Sequence, residues 1–341
     1  MYSELSILYL VDVPFSIRKH GDDVDIIVDV NLINWSWEIW EAIGLSKYFS
    51  TYIVYGGNLV LPNNFDIVYT PHDGLVQIGF EIAKNFQKPL IVQCISAPPP
   101  NPDVHWQITL QIIESNFVPF ITCVSPFVCR EWQKYFKQKG IEKNVIYVPH
   151  GVNNIVADKV NICPSERKCF VAIAKLMKHK RIDLLIKTFG KLLRDDLVII
   201  GDGPEKIELE KLNILMLYPA KFLGVVDDFT KFKILANVKA HVHASISEQF
   251  SIPHIEASYM ATPTLSYKQH VVYEIHQDNP SIFFWENEEE LEKLIEKFDN
   301  METKEINEIG LKGREWIIKK GLTLTQRSEK LAQILIEWFK K

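Results

Sequence analysis

The sequence predicts an α/β protein of two doubly wound domains, on three observations: its length, an alternation of short β-rich apolar runs with amphipathic segments, and one lapse in that alternation near the middle. At 341 residues the chain exceeds what one hydrophobic core sustains, so two domains of roughly 150 residues facing across a cleft are expected. With 47% hydrophobic and 24% charged residues the composition is that of a globular protein, neither disordered nor membrane-embedded.

In the first half, strands are expected at Ile7 to Val13, Val24 to Val30, Thr51 to Tyr55, Phe65 to Tyr69, Pro89 to Ile95, Pro119 to Val124 and Val145 to Val148. The segments Trp37 to Tyr48, Leu75 to Asn85, Val104 to Glu114 and Pro126 to Lys139 space their apolar residues as helices do. Such alternation indicates parallel βαβ units. After Pro149-His150-Gly151-Val152 the pattern lapses through a polar stretch, Asn153 to Lys168, which marks the domain boundary, and a new strand starts at Cys169 to Ala174. Strands at Leu197 to Ile200, Lys221 to Leu223, Ala240 to His243 and Thr264 to Tyr267 then alternate with helices at Arg181 to Leu193, Glu205 to Leu215, Thr230 to Asn237 and Ser251 to Met260. The tail, Glu288 to Phe298, Lys304 to Lys320 and Thr325 to Lys341, is helical throughout.

The formal charge of −5 is uneven: residues 1–150 hold 10 Lys+Arg against 15 Asp+Glu, and the remainder balances at 28 against 28. That distribution argues against a nucleic-acid footprint. Five cysteines form no Cys-x-x-Cys pair, so reduced thiols filling the core of a cytoplasmic protein are expected. Met1 to Val13 lacks the basic start of a signal peptide, and no apolar run approaches the ~20 residues of a bilayer span. Any membrane contact is expected to be peripheral.

Two segments carry chemistry. In Ser245-Ile246-Ser247-Glu248-Gln249-Phe250-Ser251-Ile252-Pro253-His254-Ile255-Glu256-Ala257 a strand ends, a loop follows and a helix begins, with free backbone N–H groups that attract phosphate or sugar hydroxyls. Glu248 falls on the loop and Glu256 inside the helix, so two carboxylates reach different parts of one extended ligand. Glu256 also sits in an apolar helix start, where an unpaired charge is costly. The second segment, Lys175-Leu176-Met177-Lys178-His179-Lys180-Arg181, sets four cations at a strand's carboxyl end, a place suited to a diphosphate. The bland alternatives are solvated glutamates and a solvated basic turn.

Lys175, Asp183-Leu184-Leu185, Gly201-Asp202-Gly203-Pro204, Phe222-Leu223-Gly224, Ser245, Glu248, Phe250, Glu256-Ala257, Thr262-Pro263 and Glu274-Ile275, in this order and spacing, resemble glycosyltransferase family 4, the retaining GT-B glycosyltransferases also called glycosyl transferases group 1. Pro149-His150-Gly151-Val152 is similar to the family's hinge signature and Thr325 to Trp338 to its closing helix. The resemblance implies a GT-B fold: an acceptor-side domain over 1–152, a nucleotide-sugar donor domain over 153–322, and a helix over 323–341 returning to the first. It implies a metal-independent hexosyl transfer with retention from a UDP or GDP sugar, a substrate rather than a cofactor, to a sugar, lipid-linked or protein-linked hydroxyl. Lys180 matches the family's diphosphate-binding lysine and Lys175 stands at its arginine. Glu248 matches the first glutamate of the family pair, at the donor sugar, and Glu256 the second, at the ribose. Backbone N–H groups of Phe250, Ser251 and Ile252 would meet phosphate and sugar, and Gly224 and Val225 would face the base.

The sequence departs from the family in places. Lys175 lacks the planar fork of an arginine. The family's Glu-Gly-Phe-Gly loop reads Glu248-Gln249-Phe250-Ser251, so a backbone without φ > 0 is expected there. Asp12-Val13-Pro14-Phe15-Ser16 stands for a Gly-Gly loop, and Ser96 for a histidine. On the acceptor side, His72 and Asp73 offer a polar pair, or else a helix cap, and Trp35, Trp37 and Trp40 offer a stacking platform or core packing. The helix Pro126 to Lys139 sets Arg130, Lys134, Lys137 and Lys139 beside Trp132, Tyr135 and Phe136, a contact for a lipid-linked acceptor or an ordinary amphipathic helix. His241 and His243 share a strand face with His254 near, without a third ligand of metal-site spacing, and Asp23-Val24-Asp25 reads as a polar strand entry; no metal is expected. The rival functions are a nucleotide-sugar epimerase on the same fold and a non-catalytic sugar-nucleotide-binding protein.

Overall fold

The computed structural model describes residues 5–11, 15–20, 23–28, 36–55, 61, 64–217 and 219–340, the side chains of 15–20, 23–28, 36–37 and 54–55 excepted. The chain forms two compact units: Met1–His150 together with Leu324–Lys341, and Gly151–Thr323.

In the first unit β1 (Ser6–Val11) is followed by an antiparallel hairpin of β2 (Phe15–His20) and β3 (Asp23–Val28), which forms a sheet of its own. This corrects the expectation of a parallel strand at Val24 to Val30. The charged Arg18, Lys19 and His20 hide β2 from any apolar pattern, and pairing with it makes β3 antiparallel. Then come α1 (Ser36–Leu45), β4 (Ser50–Tyr55), β5 (Ile67–Thr70), α2 (Val76–Phe86), β6 (Leu90–Cys94), α3 (Val104–Glu114), β7 (Phe120–Cys123), α4 (Pro126–Lys139) and β8 (Asn144–Tyr147). The main sheet is parallel in the order β4-β1-β5-β6-β7-β8. Its inner strands are continuous apolar runs because crossover helices bury both faces. Local chemistry fixes those helices. On α4, the Ser125 hydroxyl accepts from Val128 N–H, Pro126 opens the first turn, and Gly140, at φ +68°, closes the last.

The second unit runs α5 (Asn154–Ala157), β9 (Phe170–Ile173), α6 (Ile182–Lys191), β10 (Leu197–Ile200), α7 (Lys206–Ile214), β11 (Lys221–Gly224), α8 (Asp228–Asn237), β12 (Ala240–His243), α9 (Ile252–Tyr259), β13 (Thr264–Tyr267), α10 (His270–His276), β14 (Ile282–Trp285), α11 (Glu288–Asn300) and α12 (Thr303–Lys319). Its sheet is parallel in the order β11-β10-β9-β12-β13-β14. The sequence pattern passes over α10 and β14, which fall between the strand read at Thr264 to Tyr267 and the helical tail read from Glu288. Where the chain enters this unit, Arg167, 3% exposed, ties five partners together: the carbonyls of Ile162, Val238 and Ala261 and the side chains of Thr262 and Asn307.

The chain ends on α13 (Leu324–Phe339), which supplies Leu331, Ala332 and Leu335 to the first unit's core beside Ile7, Tyr9, Ile39 and Phe120. One turn in, Arg327 is 1% exposed. Its guanidinium donates to Glu41 and Gln93, and to the carbonyls of Val148 (2.9 Å) and Pro149 (2.6 Å), while Glu41 also accepts from Tyr9 (3.0 Å). Arg327→Met strands the Glu41 charge in the core and is expected to cost about 3–5 kcal/mol of unfolding free energy in urea titrations. Most of that loss is expected back in the double variant Glu41→Leu/Arg327→Met.

Candidate functional site

The strand order of the second unit reverses direction between β9 and β12, the place where open α/β sheets bind ligands at the carboxyl ends of their strands. Two loops leave those ends side by side, 174–181 and 244–251, and the Ile246 N–H donates to the His179 carbonyl (3.0 Å) to bind them together.

The first loop is shaped by glycines on its neighbour. Gly201 has φ +132°, and a Cβ there would overlap the Ala174 carbonyl; a Cβ at Gly203 would overlap the Leu176 backbone. The contact lets Leu176 N–H reach the Asp202 carbonyl (2.8 Å) and Glu205 N–H the Leu176 carbonyl (3.0 Å). Leu176 is buried, and exposed Lys175 stands beside it. The four cations do not converge: Lys178 is exposed, Arg181 covers the Tyr267 ring at 5.1 Å, and Lys180 turns to Glu248.

Lys180 Nζ lies 2.5 Å from Glu248 Oε1, and His243 Nε2 lies 3.1 Å from the same oxygen. Burial alone would raise the Glu248 carboxyl, but the His243 hydrogen bond and the Lys180 charge outweigh it and hold it at about 2. Glu256, on α9, is 6% exposed and pairs with Lys231 of α8 at 2.6 Å; Lys231 also meets Asp228 (2.9 Å), which accepts from Asn153 (3.0 Å). Burial raises the Glu256 carboxyl above the ordinary glutamate range, Lys231 opposing the shift and Asp228 adding to it. The Phe250 ring belongs to the core, and Ile252 opens α9 without a side-chain cap from Ser251.

Contrary to the expectation for this loop, Ser251 adopts φ +73°, a conformation costing a non-glycine residue about 1–2 kcal/mol. Its hydroxyl meets His254 Nδ1 at 2.7 Å. Gly224 ends β11 at φ +69° with open space where a Cβ would be, its carbonyl accepting from Gly201 N–H (2.8 Å), and Val225 follows half-buried.

In the first unit, His72 and Asp73 follow β5 at that sheet's own switch point, between β1 and β5. His72 Nδ1 accepts from Gly74 N–H (3.0 Å) and Nε2 lies 3.2 Å from Glu38, so His72 caps the turn Asp73–Leu75. Asp73 accepts from Ser96 N–H (3.1 Å), and burial, opposed by Ser96, raises its carboxyl to about 7. Trp35 and 12–14 lie outside the described residues, as does the Trp37 side chain; Trp40 is half-buried. On α4, Trp132 and Phe136 are core, and the half-buried Tyr135 bonds Glu114 (2.5 Å), so two of these three aromatics pack inward. Of the cysteines, Cys94, Cys123 and Cys129 are buried, but Cys163 is exposed rather than core filler. Among the described residues no group of three His, Cys, Asp or Glu is placed to hold a metal ion, and no helix is long and apolar enough to cross a membrane.

Sequence reasoning missed Lys231, Glu38, and the polar roles of His243 and His254. The alternation of His241 and His243 announces a shared face, but nothing local names Lys231 as the partner of Glu256. A carboxyl held above its unfolded value binds more protons folded than unfolded, so stability falls as pH rises through that window. Lys231→Met widens the window for Glu256. The variant is expected to lose about 3 kcal/mol near pH 8 and markedly less near pH 5, as read by urea denaturation at both values.

Residues 156–316 match the family model described as "Glycosyl transferases group 1". "Putative glycosyltransferase 63" of Sulfolobus islandicus filamentous virus (isolate Iceland/Hveragerdi) is 31% identical over 146 residues, 42% of this chain and 49% of that protein. "Phosphatidylinositol N-acetylglucosaminyltransferase gpi3 subunit" of Schizosaccharomyces pombe is 27% identical over 184 residues, 51% of this chain and 39% of that protein. The chain thus spans half or less of the length of these curated relatives. Among solved structures, Anabaena HepE in complex with UDP is similar with a TM-score of 0.70 at 14% identity, over 98% of this chain and 100% of that one. A glycosyltransferase from Rickettsia africae ESF-5 is similar with a TM-score of 0.69 at 15% identity, over 99% of each chain. The chain therefore has the GT-B fold, and its second unit is similar, over residues 156–316, to the glycosyl transferases group 1 family.

Proposed function

We propose that the chain is a glycosyltransferase that moves a hexosyl group from a UDP or GDP sugar to a hydroxyl acceptor, with retention and without a metal. The observation carrying this reading is the Lys180–Glu248 pair beside the uncapped start of α9, which sets a cation, a carboxylate and backbone N–H donors together at the switch point. A diphosphate competes for Lys180 and frees Glu248 to accept sugar hydroxyls. Lys175, Lys180 and the N–H groups of Phe250, Ser251 and Ile252 face the charge that grows on the leaving phosphate. Glu256 accepts the ribose hydroxyls, Gly224 and Val225 flank the base, and Asp73, oriented beside His72, receives the acceptor hydroxyl.

In the reaction the bond from the anomeric carbon to the phosphate oxygen breaks and the acceptor oxygen bonds that carbon on the same face. The acceptor proton passes to the departing phosphate, so no protein nucleophile takes part. HepE, which shares the fold, was crystallised with UDP and with UDP-glucose, which supports a nucleotide-sugar donor here.

The engaged charge pairs favour one rival, a protein that binds a sugar nucleotide without turning it over. Thermal-shift and calorimetric titration with UDP, GDP, ADP and their sugar conjugates is expected to give a nucleotide-selective response that Glu256→Ala abolishes. No response from folded protein sinks the donor site. With an active donor–acceptor pair, Lys180→Met is expected to lower turnover about 100-fold. Turnover is expected to persist in EDTA with an unchanged anomer in the product, and binding without turnover selects the rival.

A further inference from the structure

Ser251 turns the chain from the loop after β12 into α9 through a left-handed backbone, where a serine does not rest unaided. Its hydroxyl caps nothing on α9 and instead meets His254 Nδ1 at 2.7 Å; His254 Nε2 meets Ser266 Oγ of β13 at 2.8 Å. Ser266 donates its own proton to the Tyr267 carbonyl (3.1 Å), so its oxygen accepts from His254 Nε2–H. His254 Nδ1 is then left with its lone pair, and Ser251 must be the donor to it. The His254 N–H also donates to the Ser251 carbonyl (3.3 Å), so one residue holds Ser251 by side chain and backbone. Ser251, His254 and Ser266 are 6%, 0% and 0% exposed. Burial, with His243, His276 and His241 adding to it, keeps the ring well below the ordinary histidine range and hence neutral, as this pattern of donors requires.

We propose that His254 is a positioning residue: anchored on β13 through Ser266, it latches Ser251 in the left-handed conformation and so aims the backbone N–H groups at the start of α9 toward the diphosphate of a sugar nucleotide. The proposal rests on the nucleotide-sugar reading above. A glycine adopts this conformation without help, whereas here a side chain buried in the core supplies the restraint.

The test measures UDP and GDP affinity by calorimetry and thermal unfolding for the full chain and for Ser251→Ala, Ser251→Gly, His254→Leu and His254→Leu/Ser251→Gly. His254→Leu is expected to weaken nucleotide binding about tenfold in the parent chain and about twofold or less on the Ser251→Gly background, where no latch is needed. An equal loss on both backgrounds, or no loss on either, overturns the latch. Should His254→Leu fail to fold, Ser251→Ala binding about tenfold more weakly than Ser251→Gly supports it, and equal affinities overturn it. If the parent chain binds neither nucleotide, the proposed function fails by itself. The latch is then decided by melting temperatures: non-additive shifts in the double variant uphold it, and additive ones overturn it.

Discussion

A guanidinium sealed inside the first unit holds its last helix to its first. Arg327 donates to Glu41 on α1, to Gln93 on β6 and to the carbonyls of Val148 and Pro149, where the chain leaves β8. A parallel sheet must be covered on both faces, and part of this cover comes from residues that arrive only after the whole second unit has been made. Tyr9 and Tyr69 complete the network, and their burial beside Glu41 raises both phenols. Such a network is costly to leave half made and rigid once whole.

The second unit relies on close backbone approach at the loop after β9. Gly201 and Gly203 have no Cβ to keep the turn after β10 away from the loop after β9, so Leu176 is clamped from both sides and Lys175 and Lys180 spring from a fixed base. Arg167 plays a comparable part at the amino ends of the strands, satisfying carbonyls that turns would otherwise bury unpaired. Rigid framing of this kind is what an electrostatic site needs, since donors already in place cost no reorganisation.

Within that frame the charges are balanced. Lys180 is neutralised by Glu248 and Lys231 by Glu256 and Asp228. These pairs keep buried ions from standing alone. His243, at the end of β12, meets the same Glu248 oxygen as Lys180 and helps to keep that carboxylate ionised.

Much of this was legible in the residues themselves. The apolar runs and helical spacings announce two parallel α/β sheets, and strand, loop and helix around Glu248 and Lys180 are contiguous in the chain, so their place at strand ends follows from local pattern. The hairpin of β2 and β3 and the left-handed Ser251 were not legible, since a charged strand and a serine carry no distinguishing period or conformational preference. Nor were the pairings. Glu256 finds Lys231 on a neighbouring helix, His254 finds Ser266 on a neighbouring strand, and Arg327 finds Glu41 from the opposite end of the sequence. Local periodicity accounts for most of the elements and the residues at their ends, with the β2–β3 hairpin, α10 and β14 as exceptions. Which charges and hydroxyls meet is a tertiary matter, because strand order and helix packing, not distance along the chain, bring them within hydrogen-bond reach.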